Sequence, residues 1–135
     1  MLQTRYDRYD SKYCIDKFEN NTPSINGDEA IIAFELDGED FEIYMPVISG
    51  QPDKQSLEIA SEVMQHITEF DNLVQQSNAS ECKRTGLDPR NYELYLAYIT
   101  IAKPEVKLTY YGTCVNTEWD AIFDKNSGQW AKVNF

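Results

Sequence analysis

The chain has little of what most active-site chemistry needs. It holds one histidine, His66, and three cysteines, Cys14, Cys82 and Cys114, among 135 residues. No second His or Cys stands three or four residues from His66, so zinc has no ligand set there. The cysteines are odd in number and far apart. They fit neither a disulfide framework nor a CxxC metal or redox pair, and they read as free, partly buried thiols. No GxSxG elbow, P-loop or dinucleotide fingerprint occurs. No apolar run approaches the roughly 20 residues that span a bilayer, and the opening residues Met1 to Tyr6 lack the apolar stretch of a secretion signal. A cytoplasmic protein without cofactor or metal is the expectation. Bases are also scarce: 12 Lys and Arg face 23 Asp and Glu, for a net charge of −11. That balance argues against direct binding of nucleic acid or of an anionic membrane.

What the chain does have is apolar residues at 41% and aromatics at 13%. A disordered acidic chain would be poor in both. Its length suits a single domain, residues 1–135, with a core of its own. Its acids are concentrated. Residues 28–62 hold Asp28, Glu29, Glu35, Asp37, Glu39, Asp40, Glu42, Asp53, Glu58 and Glu62 against one base, Lys54, while the rest of the chain is nearly balanced. Charge gathered in this way makes a directed field, which suits a basic partner.

The periodicities give an outline. Residues 1–27 are a polar segment and loop, in which Tyr6, Tyr9 and Tyr13 would share one face of a short helix. Residues 28–48 read as an acidic hairpin with strands at Ala30–Leu36 and Phe41–Val47, because an Asp37-Gly38 pair between alternating runs is a turn signal. Glu35 and Glu42 belong to its wet face. Asp53 can cap a helix over 53–77, running from about Lys54 to Gln76, with Leu57, Ala60, Val63, Met64, Ile67, Phe70 and Val74 on one stripe. Asn78 to Asp88 reads as a polar connection. Residues 90–135 read as a β-meander, with strands at Tyr92–Ala102, Val106–Tyr111, Trp119–Phe123 and Gln129–Phe135, whose aromatics belong to the core. Asp124-Lys125-Asn126-Ser127-Gly128 begins like a calcium loop, but its glycine comes one place early and Phe135 stands where Glu is needed, so it reads as a hairpin turn. The expected fold is α+β: an antiparallel sheet, N-terminal hairpin plus C-terminal meander, packed on one long amphipathic helix.

The segment Tyr110-Tyr111-Gly112-Thr113-Cys114-Val115-Asn116-Thr117-Glu118-Trp119-Asp120-Ala121-Ile122-Phe123, closing with Gly128-Gln129-Trp130, resembles small acidic bacterial proteins of the immunity type. These neutralise toxin domains of contact-dependent growth inhibition and other polymorphic toxin systems. The resemblance is one of overall pattern and carries no family residue onto this chain. It implies a non-enzymatic protein whose partner is a cognate toxin domain with a basic surface, a nuclease being one such case. The residues expected to meet that partner are Glu35, Asp37, Glu39, Asp40, Glu42 and Tyr44 on the hairpin, with Asp53, Glu58 and Glu62 near the helix start. Two other readings stand beside it. One is a small ligand-binding or enzymatic domain with a pocket between helix and sheet, into which His66, Tyr95 or Tyr98 would point. The other is a structural adaptor whose acidity serves solubility.

Overall fold

The computed structural model describes residues 8–88, 92–112, 118–126 and 128–134. Its elements follow in the order α1 (Ser11–Glu19), β1 (Ser24–Asn26), β2 (Glu29–Leu36), β3 (Glu39–Ile48), β4 (Gln51–Pro52), α2 (Lys54–Gln65), α3 (Ile67–Arg84), β5 (Leu94–Ala102), β6 (Glu105–Gly112), β7 (Glu118–Asn126) and β8 (Gln129–Asn134). The class is α+β, with one mostly antiparallel sheet in the order β1-β2-β3-β5-β6-β7-β8 and β4 folded back on β3. No described helix is long and apolar enough to cross a membrane.

β2 and β3 pair from Glu29↔Pro46 to Leu36↔Glu39. The two residues between them, Asp37 and Gly38, have φ of 56° and 81°, the left-handed pair that a tight hairpin needs and that Asp-Gly tolerates. Alternation then sends Ala30, Ile32, Leu36, Phe41, Ile43 and Met45 into the core. β6, β7 and β8 continue antiparallel from β5. The junction between the two halves is different. β3 and β5 run parallel, through Glu42↔Tyr98, Ile43↔Ile99 and Tyr44↔Thr100. A parallel pair cannot be closed by a tight turn, and α2 with α3 forms the crossover.

The expected single helix is two. α2 ends at Gln65, and His66, with φ −124°, separates it from α3. α3 then runs to Arg84, through residues that read as a polar connection. The polar side chains responsible are buried and bonded. Gln75 donates to the Leu94 carbonyl at 3.0 Å and Asn78 to the Tyr92 carbonyl at 2.8 Å. These bonds tie α3 to the entry of β5, and a scan for apolar period registers none of them. On the apolar side Phe70 meets Phe123 and Trp130 edge-on, with ring centroids 4.7 and 5.8 Å apart.

The N-terminal tyrosines do not line one helix face. Asp10 caps α1 by accepting from the Lys12 amide at 2.9 Å, so Tyr9 precedes the helix; Tyr6 lies outside the described residues. Tyr9 is instead a wedge. β3–β5 pairing stops at Glu42↔Tyr98, and ahead of that point residues 8 and 9 serve the backbone of β5. The Leu96 amide donates to the Tyr9 hydroxyl at 2.8 Å, and Arg8 donates to the Leu94 carbonyl at 2.7 Å. The register of β5 against β6 shifts between Leu96 and Tyr98. The bulge at Ala97 lets Leu94, Leu96, Ile99 and Ile101 all face the core.

Cys14 and Cys82 are buried free thiols. Burial pushes the Cys14 thiol up to about 12, which leaves it unreactive. Cys114 and the Asn116-Thr117 part of the segment quoted above lie outside the described residues.

One carboxyl is fully inside. Asp71 accepts from the Tyr110 hydroxyl at 2.7 Å and from Gln75 at 3.2 Å through Oδ1, while its Oδ2 has no hydrogen-bond partner. Burial pushes its pKa up to about 6, with Tyr110 and Gln75 pulling the other way. The unfolded chain loses this proton near 3.9. Its contribution to stability is therefore fully present below the unfolded value and is lost as pH rises through about 6. Asp71→Asn, neutral throughout, should flatten that fall. Relative to wild type, its unfolding free energy in urea should rise by about 2–3 kcal/mol between pH 4 and pH 7, and parallel stability curves would refute a raised carboxyl. Tyr9→Phe strips the buried Leu96 amide of its acceptor. It should cost about 1–3 kcal/mol in the same assay, and a neutral result would show that the wedge is dispensable.

Candidate functional site

The helices pack against one face of the sheet, where the buried strand residues and those of α2 and α3 form a common core. Strand alternation turns the other residues to the opposite face. From the first half of the sheet that open face receives Glu29, Glu35, Asp40 and Glu42. From the second half it receives Glu105, Glu118, Asp120 and Asp124, each in register with an open-face neighbour on the adjoining strand. Lys107 is the one base among the described strand residues on this side. The other lysines of the meander go to the helix side.

Tyrosines stand among the acids. Tyr44 donates to Glu42 at 2.7 Å and meets Tyr98 edge-on at 5.7 Å. Tyr98 and Tyr111 donate to the two oxygens of Glu118 at 3.2 and 3.1 Å, which holds that carboxylate in place. Thr109 donates to Asp120 at 2.7 Å, and Tyr95 to Glu93 at 2.7 Å. Acceptance by Glu42 pushes the Tyr44 phenol up to about 12, because a proton shared with a carboxylate is harder to remove. The bond to Glu118 raises Tyr111 and the bond to Glu93 raises Tyr95, while for Tyr98 burial is the larger cause. All four are neutral donors at physiological pH.

The sequence-derived residues divide between two sides. Glu35, Asp40, Glu42 and Tyr44 share the open face. Asp37 lies in the turn and Glu39 beside it, at the rim of a cleft of about 410 Å³ that also involves Asp40, Tyr9, Tyr95 and Tyr111. Asp53, Glu58 and Glu62 lie on the helix side, where lysines answer them. Asp53 is 7% exposed. It caps α2 through Ser56 and pairs with Lys103 at 2.8 Å. Lys103, then Ser56, hold its carboxyl below the usual range. Glu62 pairs with Lys125 at 3.0 Å. Glu58 lines the same shallow depression as these two lysines. These three acids therefore do not extend the open face.

His66 is exposed at the helix junction, and Tyr95 and Tyr98 belong to the open face. None of the three enters the space between helices and sheet. Tyr111, Glu118 and Asp120 are open-face residues that the sequence does not single out, and Tyr98, expected in a pocket, joins them there. Assigning the meander's aromatics to the core is right for Tyr110 and Phe123, which are fully buried, and not for Tyr95, Tyr98 or Tyr111. The available signal was the alternation Thr109, Tyr111 against Leu108, Tyr110. In β5 the bulge at Ala97 breaks that count.

Glu42→Gln should bring the Tyr44 titration down from about 12 toward the ordinary phenol value. NMR of tyrosines labelled at Cζ reads this directly, and an unmoved titration would break the assigned pair. Comparison of the chain with protein families, with curated proteins and with solved structures finds no match.

Proposed function

We propose that the chain is an immunity protein: a non-enzymatic, cytoplasmic binder that neutralises a toxin domain by covering its basic surface in a stoichiometric complex. The observation that carries this reading is the segregation of charge across the sheet, with acids from both halves on the open face and, among the described residues, only Lys107 from the strands and Arg8 over Tyr95 against them. Such a face speeds encounter with a basic partner and disfavours acidic ones. Tyr44, Tyr98 and Tyr111 add rigid aromatic area at the centre of that face, the residue type that anchors interfaces. Their bonds to Glu42 and Glu118 are made before any partner arrives, so less side-chain freedom is lost on docking. The resemblance of residues 110–123 to immunity proteins points to the same class. A nuclease toxin, which must attract phosphate, has the matching field.

Co-expression with the C-terminal domain of any large protein encoded beside this chain, as the candidate toxin, tests this. Growth rescue with one-to-one co-purification is the expected result. Glu118→Lys with Asp120→Lys should slow association by about tenfold or more at low salt and weaken its salt dependence. Glu19→Lys with Glu58→Lys, an equal change on the helix side, should leave the rate nearly unchanged. Equal effects from the two pairs, or rescue without a complex, would overturn the assignment.

A further inference from the structure

The cleft at the hairpin turn lies where the sheet comes apart. β3 and β5 pair only from Glu42↔Tyr98 onward, and Tyr9 fills the base of the gap ahead of that point. Asp37, Glu39 and Asp40 form one wall, Tyr95 and Tyr111 the other, and Leu96 adds an apolar patch. Its volume of about 410 Å³ falls in the range of pockets that enclose a ligand group. Asp40, Tyr95 and Tyr111 also belong to the open face, so the cleft is continuous with the proposed docking surface.

We infer that this cleft is the anchor pocket for one arginine side chain of the basic partner. The inference rests on the open face being a docking surface, and it adds where and by which residue type the partner is gripped. Charge complementarity comes first. Asp37, Glu39 and Asp40 are exposed, and among the described residues none of them makes a side-chain hydrogen bond or ion pair. Ring chemistry comes second. The Arg8 guanidinium already rests over Tyr95, 4.3 Å from the ring centroid, so the exposed Tyr111 ring is the wall left to a partner guanidinium. Shape comes third. A planar guanidinium stacks on tyrosine and meets carboxylates through paired donors, while its stem lies on apolar surface. A lysine ammonium is a compact, strongly hydrated charge that uses the aromatic wall less well.

The test uses the full chain, labelled with ¹⁵N and titrated with acetyl-Gly-Arg-Gly-amide, its lysine analogue and its citrulline analogue. Saturable shifts should gather at the amides of 36–40 and 95–97 with the arginine peptide. They should be several-fold weaker with lysine and absent with citrulline. Asp37→Asn with Glu39→Gln should weaken the arginine peptide by about tenfold, the scale of a lost charge-assisted hydrogen bond. Glu105→Gln with Asp124→Asn, the same charge change at the far end of the face, should leave its affinity within about twofold. No response to the arginine peptide, equal response to lysine, or equal loss in both double variants overturns the pocket. Those results leave the docking face standing, since its own test is association with the toxin domain. Conversely, a pocket that takes arginine in a chain that forms no toxin complex would retain the site and remove the proposed partner.

Discussion

Three residue pairs, Glu42↔Tyr98, Ile43↔Ile99 and Tyr44↔Thr100, join the two halves of this sheet. Much else follows from them. Because the pairing is parallel, the chain must cross over between β3 and β5, and the crossover carries both α2 and α3. The helices cover one face and leave the other to solvent. Because the pairing is short, the strands part toward their amino ends. Arg8 and Tyr9 then satisfy the backbone of β5 where a strand would otherwise do so. Tyr9 in turn receives Thr68 of α3 on its carbonyl at 2.6 Å. The N-terminal segment, the crossover and the sheet thus meet at one joint, and the cleft is the part of that joint left open on the acidic side.

A covered face and an open face turn strand alternation into charge sorting. In the meander Glu118, Asp120 and Asp124 fall on one parity, and Lys125 falls on the other, where it meets Glu62. Self-repulsion among the open-face acids works against compactness. The structure limits it by hydrogen-bonding several carboxylates to tyrosine and threonine hydroxyls. On the helix side the same problem is handled by ion pairs, Asp53 with Lys103 and Glu62 with Lys125. Of the two, the solvent-open Glu62–Lys125 pair adds little stability. The effect of both here is to leave the field of the protein one-sided.

Asp71 stands apart from both arrangements. It is an acid inside the core, held by Tyr110 and Gln75, and it links α3 to the middle of β6. Burial opposes its ionisation while both hydrogen bonds favour it, and because burial is the larger effect the fold is most stable with the carboxyl protonated.

The α+β class, the strands around 30–36 and 41–47, the helical stripe from Leu57 to Val74 and the acidity of 28–62 could all be read from the chain, because each is a local pattern of period or composition. The break at His66, the extension of α3 through Asn78, the strands β1 and β4 and the bulge at Ala97 could not. Each depends on partners distant in sequence, such as the carbonyls of Tyr92 and Leu94. The candidate site divides in the same way. Sequence alone determined that the chain is acidic and that Glu35 and Glu42 share a strand face. Strand pairing across the fold is what brings Glu118 and Asp120 to that face and leaves Asp53 and Glu62 off it. Alternation sets which residues of one strand share a face, but which strands lie side by side is set by pairing across the whole chain.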